Sequence, residues 1–111
     1  MKTIEFMGDS LSVIRDFTKE TRREIGYQLE SVQVGLPPED WKPMKSIGPG
    51  VKEIRIRNKD GAFRTMYVLE SAKNIVVLHA FEKKTQKTPK KDLDLAKSRF
   101  KEMKEMKERE R

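Results

Sequence analysis

The sequence predicts an α+β domain: a small twisted antiparallel sheet of about four strands, with N-terminal helices on one face and a C-terminal helix. Three observations lead there. Val51–Phe81 holds three short strand-like runs separated by two tight turns, Leu11–Gln33 repeats apolar residues at helical spacing before them, and Lys90–Arg111 does so again after them. Helical runs on either side of a strand meander give an α+β layering, not an alternating parallel one. At 111 residues the chain has room for a single domain spanning 1–111.

Each element has its own signal. Lys2–Met7 alternates, with Ile4 and Phe6 on one side, and reads as a short strand. Gly8 breaks it, and Asp9 or Ser10 offers a side-chain oxygen to cap a helix carrying Leu11, Ile14 and Phe17. A second helical stretch runs from Lys19 to Gln33, with Ile25, Leu29 and Val32 on one stripe and Thr21 and Glu24 at capping-box spacing. The two pieces are either separate helices or one kinked helix. Gly35–Gly50 contains four prolines and three glycines and reads as a loop, with Trp41 and Met44 tucked against the core.

Val51–Arg57 alternates Ile54 and Ile56 against Glu53, Arg55 and Arg57. The turn Asn58–Gly61 follows, its Asp-Gly pair supplying a positive-φ residue. Ala62–Glu70 is the next strand, with Phe63, Tyr67 and Val68 as core residues, and Ser71–Asn74 the next turn. Ile75–Phe81 is nearly continuous in apolar residues, the pattern of a central strand covered on both faces. Beyond a cationic segment, Thr88 or Pro89 starts the last helix, where Leu93, Ala96, Phe100 and Met103 recur at helical spacing. With the helices on one face, the other is expected to stay free and to display Arg55 and Arg57.

Composition narrows the function. The chain has 25 basic and 18 acidic residues, a net charge of +7, and a pI near 9.7. Such a balance favours a polyanionic or acidic partner. The absence of cysteine excludes disulfides, thiolate zinc sites and cysteine nucleophiles. No apolar run reaches the roughly 20 residues that cross a bilayer, and the N-terminus lacks a signal-peptide pattern. A cytoplasmic protein without membrane contact is the expectation. His79 is the only histidine and has no carboxylate cluster at ligand spacing, so neither a metal nor another cofactor is expected. The segment SIGPG lacks the lysine and helix of a phosphate-binding loop.

What remains is a cationic constellation: Arg55, Arg57 and Arg64 on the first two strands of the meander, and Lys83, Lys84, Lys87, Lys90 and Lys91 after the third. Such residues hold phosphates. They also suffice for metal-free RNA cleavage, in which the ribose 2′-oxygen attacks the neighbouring phosphorus. Arginine stabilises the dianionic phosphorane, and a lysine with a lowered pKa exchanges protons.

The run EIRIRNKDGAFRTMYVLESAKNIVVLHAFEKKTQKTPKKDLDLAKSRFKE resembles the C-terminal half of RelE/HigB-type toxins, in particular the phage-derived branch of the RelE/ParE superfamily. The shared pattern is an ordered set. A basic strand and turn lead into an aromatic-Arg pair and Tyr, followed by an apolar strand, Phe-x-Lys-Lys and a Thr-Pro helix start. The resemblance implies the toxin of a type II toxin–antitoxin pair, an mRNA endoribonuclease acting on the ribosome and leaving a 2′,3′-cyclic phosphate. It implies a cognate antitoxin as partner, commonly a helix-turn-helix protein. Arg64 in AFRTMY matches the catalytic arginine, and Lys84 in FEKKT, or Lys83, the basic residue beyond the last strand. Arg55 and Arg57 would hold the RNA backbone, with Lys87, Lys90 and Lys91 adding general attraction. Glu53 stands where some members have a further catalytic lysine, and Thr85–Pro89 where several have a tyrosine. His79 is the candidate general base, a satisfied core histidine being the alternative. Relatives of this fold that bind and poison DNA gyrase supply the other functional class.

Overall fold

The computed structural model describes residues 1–110. Its elements run β1 (Thr3–Phe6), α1 (Ser10–Arg15), α2 (Lys19–Gln33), β2 (Trp41–Pro43), β3 (Lys52–Asn58), β4 (Gly61–Ser71), β5 (Asn74–Glu82) and α3 (Lys90–Arg109). They form one sheet of five strands in the order β1-β5-β4-β3-β2. The α+β class and the meander are as the sequence predicts.

Two features of the sheet differ from the expectation. β1 joins β5 in parallel, Thr3 beside Asn74 and Phe6 beside Val77, so the sheet is mixed. The fifth strand, β2, lies inside the proline-rich segment, pairing Trp41 with Ile54 and Pro43 with Lys52. Proline is tolerated there because an edge strand has one side without ladder bonds. Met44 is buried as expected, whereas Trp41 stays 37% exposed with the Lys52 ammonium 4.9 Å above its ring.

The helices cover both faces, correcting the expectation of one free face. Ile14 of α1 and Ile25, Leu29 and Val32 of α2 pack on Ile54, Ile56, Phe63, Tyr67, Ile75 and Val77. On the other face Ala96 and Met103 of α3, with Leu93 and Phe100, pack on Met66, Val68, Val76 and Leu78. α1 and α2 are separate helices. Thr18 caps α2 by accepting from the Thr21 amide, while Thr21 and Glu24 instead accept from the Asn58 side chain, tying α2 to the β3–β4 turn. Gly61 closes that turn at φ +136°, a conformation side chains rarely adopt.

A bulge in β5 sets the geometry of the α3 face. Met66 pairs with His79 but Tyr67 with Val77, leaving Leu78 as an extra residue. Leu78 and His79 consequently both point toward α3, where His79 Nε2 lies 2.7 Å from Asp92 Oδ1. Arg99 of α3 donates to the Leu78 carbonyl at 3.0 Å, to His79 Nδ1 at 3.3 Å and to Asp9 Oδ1 at 2.6 Å. A guanidinium only donates, so Nδ1 accepts and Nε2 carries the hydrogen given to Asp92. Asp9 stands at the N-cap of α1 without a capping bond. Its carboxyl is held below the usual range chiefly by the Arg99 bond. One buried polar chain thus ties α3, β5 and the start of α1 together.

Candidate functional site

The α3 side of the sheet carries three rows of paired residues toward its uncovered end. Lys42, Glu53, Met66 and His79 are successive partners in the first row, Arg55, Arg64 and Phe81 in the second. In the third, Arg57 pairs with Ala62, whose carbonyl accepts from the Lys83 amide at 2.7 Å. Alternation along the strands puts Glu53, Arg55 and Arg57 on one side, and the hairpin turn sets Arg64 opposite Arg55.

Depth separates these residues. Arg57 is exposed, and Arg55 and Lys83 are half-buried. Arg64 is only 4% exposed and Glu53 fully buried. Arg64 Nη1 donates to its neighbour's carbonyl, Phe63 O, at 3.0 Å, while Nε lies 3.5 Å from Glu53 Oε1 without hydrogen-bond geometry. Lys42 Nζ lies 3.9 Å from the same oxygen. Neither carboxylate oxygen of Glu53 has a hydrogen-bond partner among the described residues.

The electrostatics follow from burial and crowding. Burial pushes the Glu53 carboxyl above its ordinary value, against the pull of Lys42, Arg64, Lys83 and Arg55. The Arg64 guanidinium is lowered by burial, with Glu53 opposing. Lys83 is lowered by burial first and then by the like charges of Arg64 and Lys42. Such a lysine gives up its proton more readily than a free one.

Next to α2, which packs on the other face of the sheet from Glu53 and Arg64, an open groove of about 640 Å³ is lined by Tyr27, by Arg23, Arg55 and Arg57, and by the carboxylates of Glu24, Glu39 and Asp40. Tyr27 is 60% exposed there. Its three carboxylates offset its three arginines, so the groove itself offers a nucleic-acid strand little net attraction.

The structure therefore brings Arg55, Arg57, Arg64 and Lys83 together. Lys84, Lys87, Lys90 and Lys91 are exposed along the segment leading into α3 and its first turn, where Lys90 pairs with Asp94. His79 is 5% exposed with both ring nitrogens engaged, so no nitrogen faces a substrate. Tyr67 is buried on the α1–α2 side, its phenol pushed up to about 12 by burial, and cannot replace the tyrosine absent from Thr85–Pro89. Sequence reasoning passed over Lys42 and Tyr27, which carry no signal beyond their type. It placed Glu53 on the right face but not at its depth. Among the described residues no group of His, Cys, Asp or Glu could hold a metal ion, and no helix is long and apolar enough to cross a membrane.

Comparison with known proteins gives this site a context. The profile of the family described as Phage derived protein Gp49-like matches residues 12–101. No curated protein matches the sequence. Among solved structures, the isolated E. coli RelE toxin is similar, with a TM-score of 0.59 and 16% identity over 78% of this chain and 89% of that one. At that identity the likeness is one of fold.

Proposed function

Because the chain belongs to the Gp49-like family of phage-derived proteins, we propose that it is the toxin of a toxin–antitoxin pair and cleaves mRNA without a metal. Family membership and the RelE-like fold support the toxin reading. One observation carries the nuclease reading: Arg55, Arg57, Arg64 and Lys83 meet at one end of the sheet.

In this reading the strand crosses that end of the sheet, its phosphates on Arg55 and Arg57. The ribose 2′-hydroxyl gives its proton to water as its oxygen attacks the adjacent phosphorus and the 5′-oxygen departs, giving a 2′,3′-cyclic phosphate and a 5′-hydroxyl. Arg64 stabilises the phosphorane charge. Lys83, already lowered by burial and then by its cationic neighbours, protonates the leaving oxygen. Lys84, exposed and following the strand, serves attraction together with Lys87, Lys90 and Lys91. The message is engaged in the cytoplasm on the ribosome, and a helix-turn-helix antitoxin covers the basic face.

The test is expression without antitoxin, with message 5′ ends mapped across the transcriptome. Wild type should arrest growth and cut within translated messages, and Arg64→Ala should lower cleavage by about a hundredfold or more while staying folded. Intact messages with broken chromosomes would instead indicate a gyrase poison. Full toxicity of a folded Arg64→Ala would remove Arg64 from the site.

A further inference from the structure

Glu53 is an expensive residue to keep where it is. A fully buried carboxylate normally collects several hydrogen bonds, yet both oxygens of Glu53 lack any among the described residues. The charges acting on it are all cationic: Lys42 at 3.9 Å from β2, Arg64 at 3.5 Å from β4, with Arg55 and Lys83 farther off. Neither close pair has hydrogen-bond geometry, so Arg64 Nε is likewise left without an acceptor. A buried pair this loose gains less than a well-formed one and still bears the desolvation cost.

That arrangement is what an anion site looks like when a poor anion fills it. We infer that Glu53 is the internal competitor for the phosphate site: its carboxylate holds Arg64 inside the sheet, and a nucleic-acid phosphate engages Arg64 by displacing it. Arg64 suits the exchange, because Nε is unsatisfied and a guanidinium can turn a bidentate edge toward phosphate. Lys42, with 43% of its side chain exposed, and half-buried Lys83 and Arg55 form the entrance through which the phosphate arrives. The raised carboxyl of Glu53 agrees, since burial outweighs the four cations and leaves the charged form poorly held. The free protein is then in a closed state. Only a ligand bringing its own negative charge supplies the energy to open it.

This rests on the reading above only in taking RNA as the polyanion. A short 2′-O-methyl RNA oligonucleotide cannot be cut by 2′-oxygen attack, so its binding is independent of nuclease activity. Fluorescence anisotropy at fixed salt would compare wild type, Glu53→Gln, Glu82→Gln and each in an Arg64→Ala background. Glu82 is exposed on β5 and controls for net charge. Glu53→Gln should tighten binding by about tenfold, as expected for releasing one close charge pair. Glu82→Gln should tighten it less than about twofold, and the Glu53 gain should vanish with Arg64→Ala. Equal effects of the two glutamate variants, weaker binding by Glu53→Gln, or a gain that survives Arg64→Ala would overturn the inference. If Glu53→Gln fails to fold, NMR titration of the wild type decides. The Glu53 carboxyl and Arg64 Nε resonances should move together with one apparent Kd, and an Arg64 shift without a Glu53 shift would refute displacement.

Discussion

Replacing Arg99 with methionine should be among the most destabilising changes in α3, although it leaves most of the side-chain volume in place. Arg99 is 9% exposed and serves three acceptors: the Leu78 carbonyl, His79 Nδ1 and Asp9. Removing the guanidinium strands the carbonyl and the imidazole nitrogen in a dry interface, at about 1–3 kcal/mol each. Asp9, with its side chain 60% exposed, recovers water and adds little. The sum is about 2–6 kcal/mol, bracketing the roughly 3–5 kcal/mol typical of breaking a buried ion pair. For a domain near this size that lowers Tm by roughly 8–24 °C. Urea unfolding followed by far-UV circular dichroism measures it, with Asp9→Asn as the internal comparison, expected to lose less than about 1 kcal/mol. If Arg99→Met lost under about 1 kcal/mol, or Asp9→Asn cost as much, the buried chain would not hold α3 to the sheet.

Other expectations follow from the same geometry. Glu53 binds its proton more tightly folded than unfolded, so the linked stability is fully present below the ordinary value of 4.5 and is lost as pH rises through the folded value. The stability of Glu53→Gln relative to wild type should therefore grow from about pH 4 to about pH 7 in urea titrations, and a flat or falling difference would contradict the burial argument. Asn58→Ala removes the side chain that donates to Thr21 and Glu24 and accepts from the Asp60 amide, and should cost about 2 kcal/mol by thermal melting. Arg57→Ala, on an exposed phosphate contact, should weaken single-stranded RNA binding and reduce the slope of log K against log salt by about 0.7. An unchanged slope would take Arg57 off the RNA path.

The meander was legible because two-residue alternation and two clear turns leave few options, and the Asn58–Gly61 hairpin fixes Arg55 opposite Arg64. The direction of β1 was not. Four alternating residues read alike in either direction, and their partner lies far along the chain. The placement of α3 was hidden by its charge: its buried side includes Asp92 and Arg99 beside Ala96 and Met103, and charged residues in so polar a helix look like solvated ones. Alternation gave the face of Arg64 and Glu53, whereas depth depends on which neighbouring segments cover them. Thr21 and Glu24 illustrate a local signal captured by a distant partner, since a capping-box spacing served Asn58 instead.

The parallel docking of β1 has a consequence for the order of events during synthesis. Its partners begin at Asn74, Asp9 waits for Arg99, and Glu5 waits for Lys107. β1 thus leaves the ribosome well before the segments it pairs with, and the loops it closes are long. Distant pairings of this kind slow the folding of a small domain. A nascent or prematurely terminated chain can assemble the hairpin of β3 and β4 but not the edge of the sheet or the cover over its second face. Synthesis through α3, and not merely of the basic strands, becomes the point at which the surface acquires its shape.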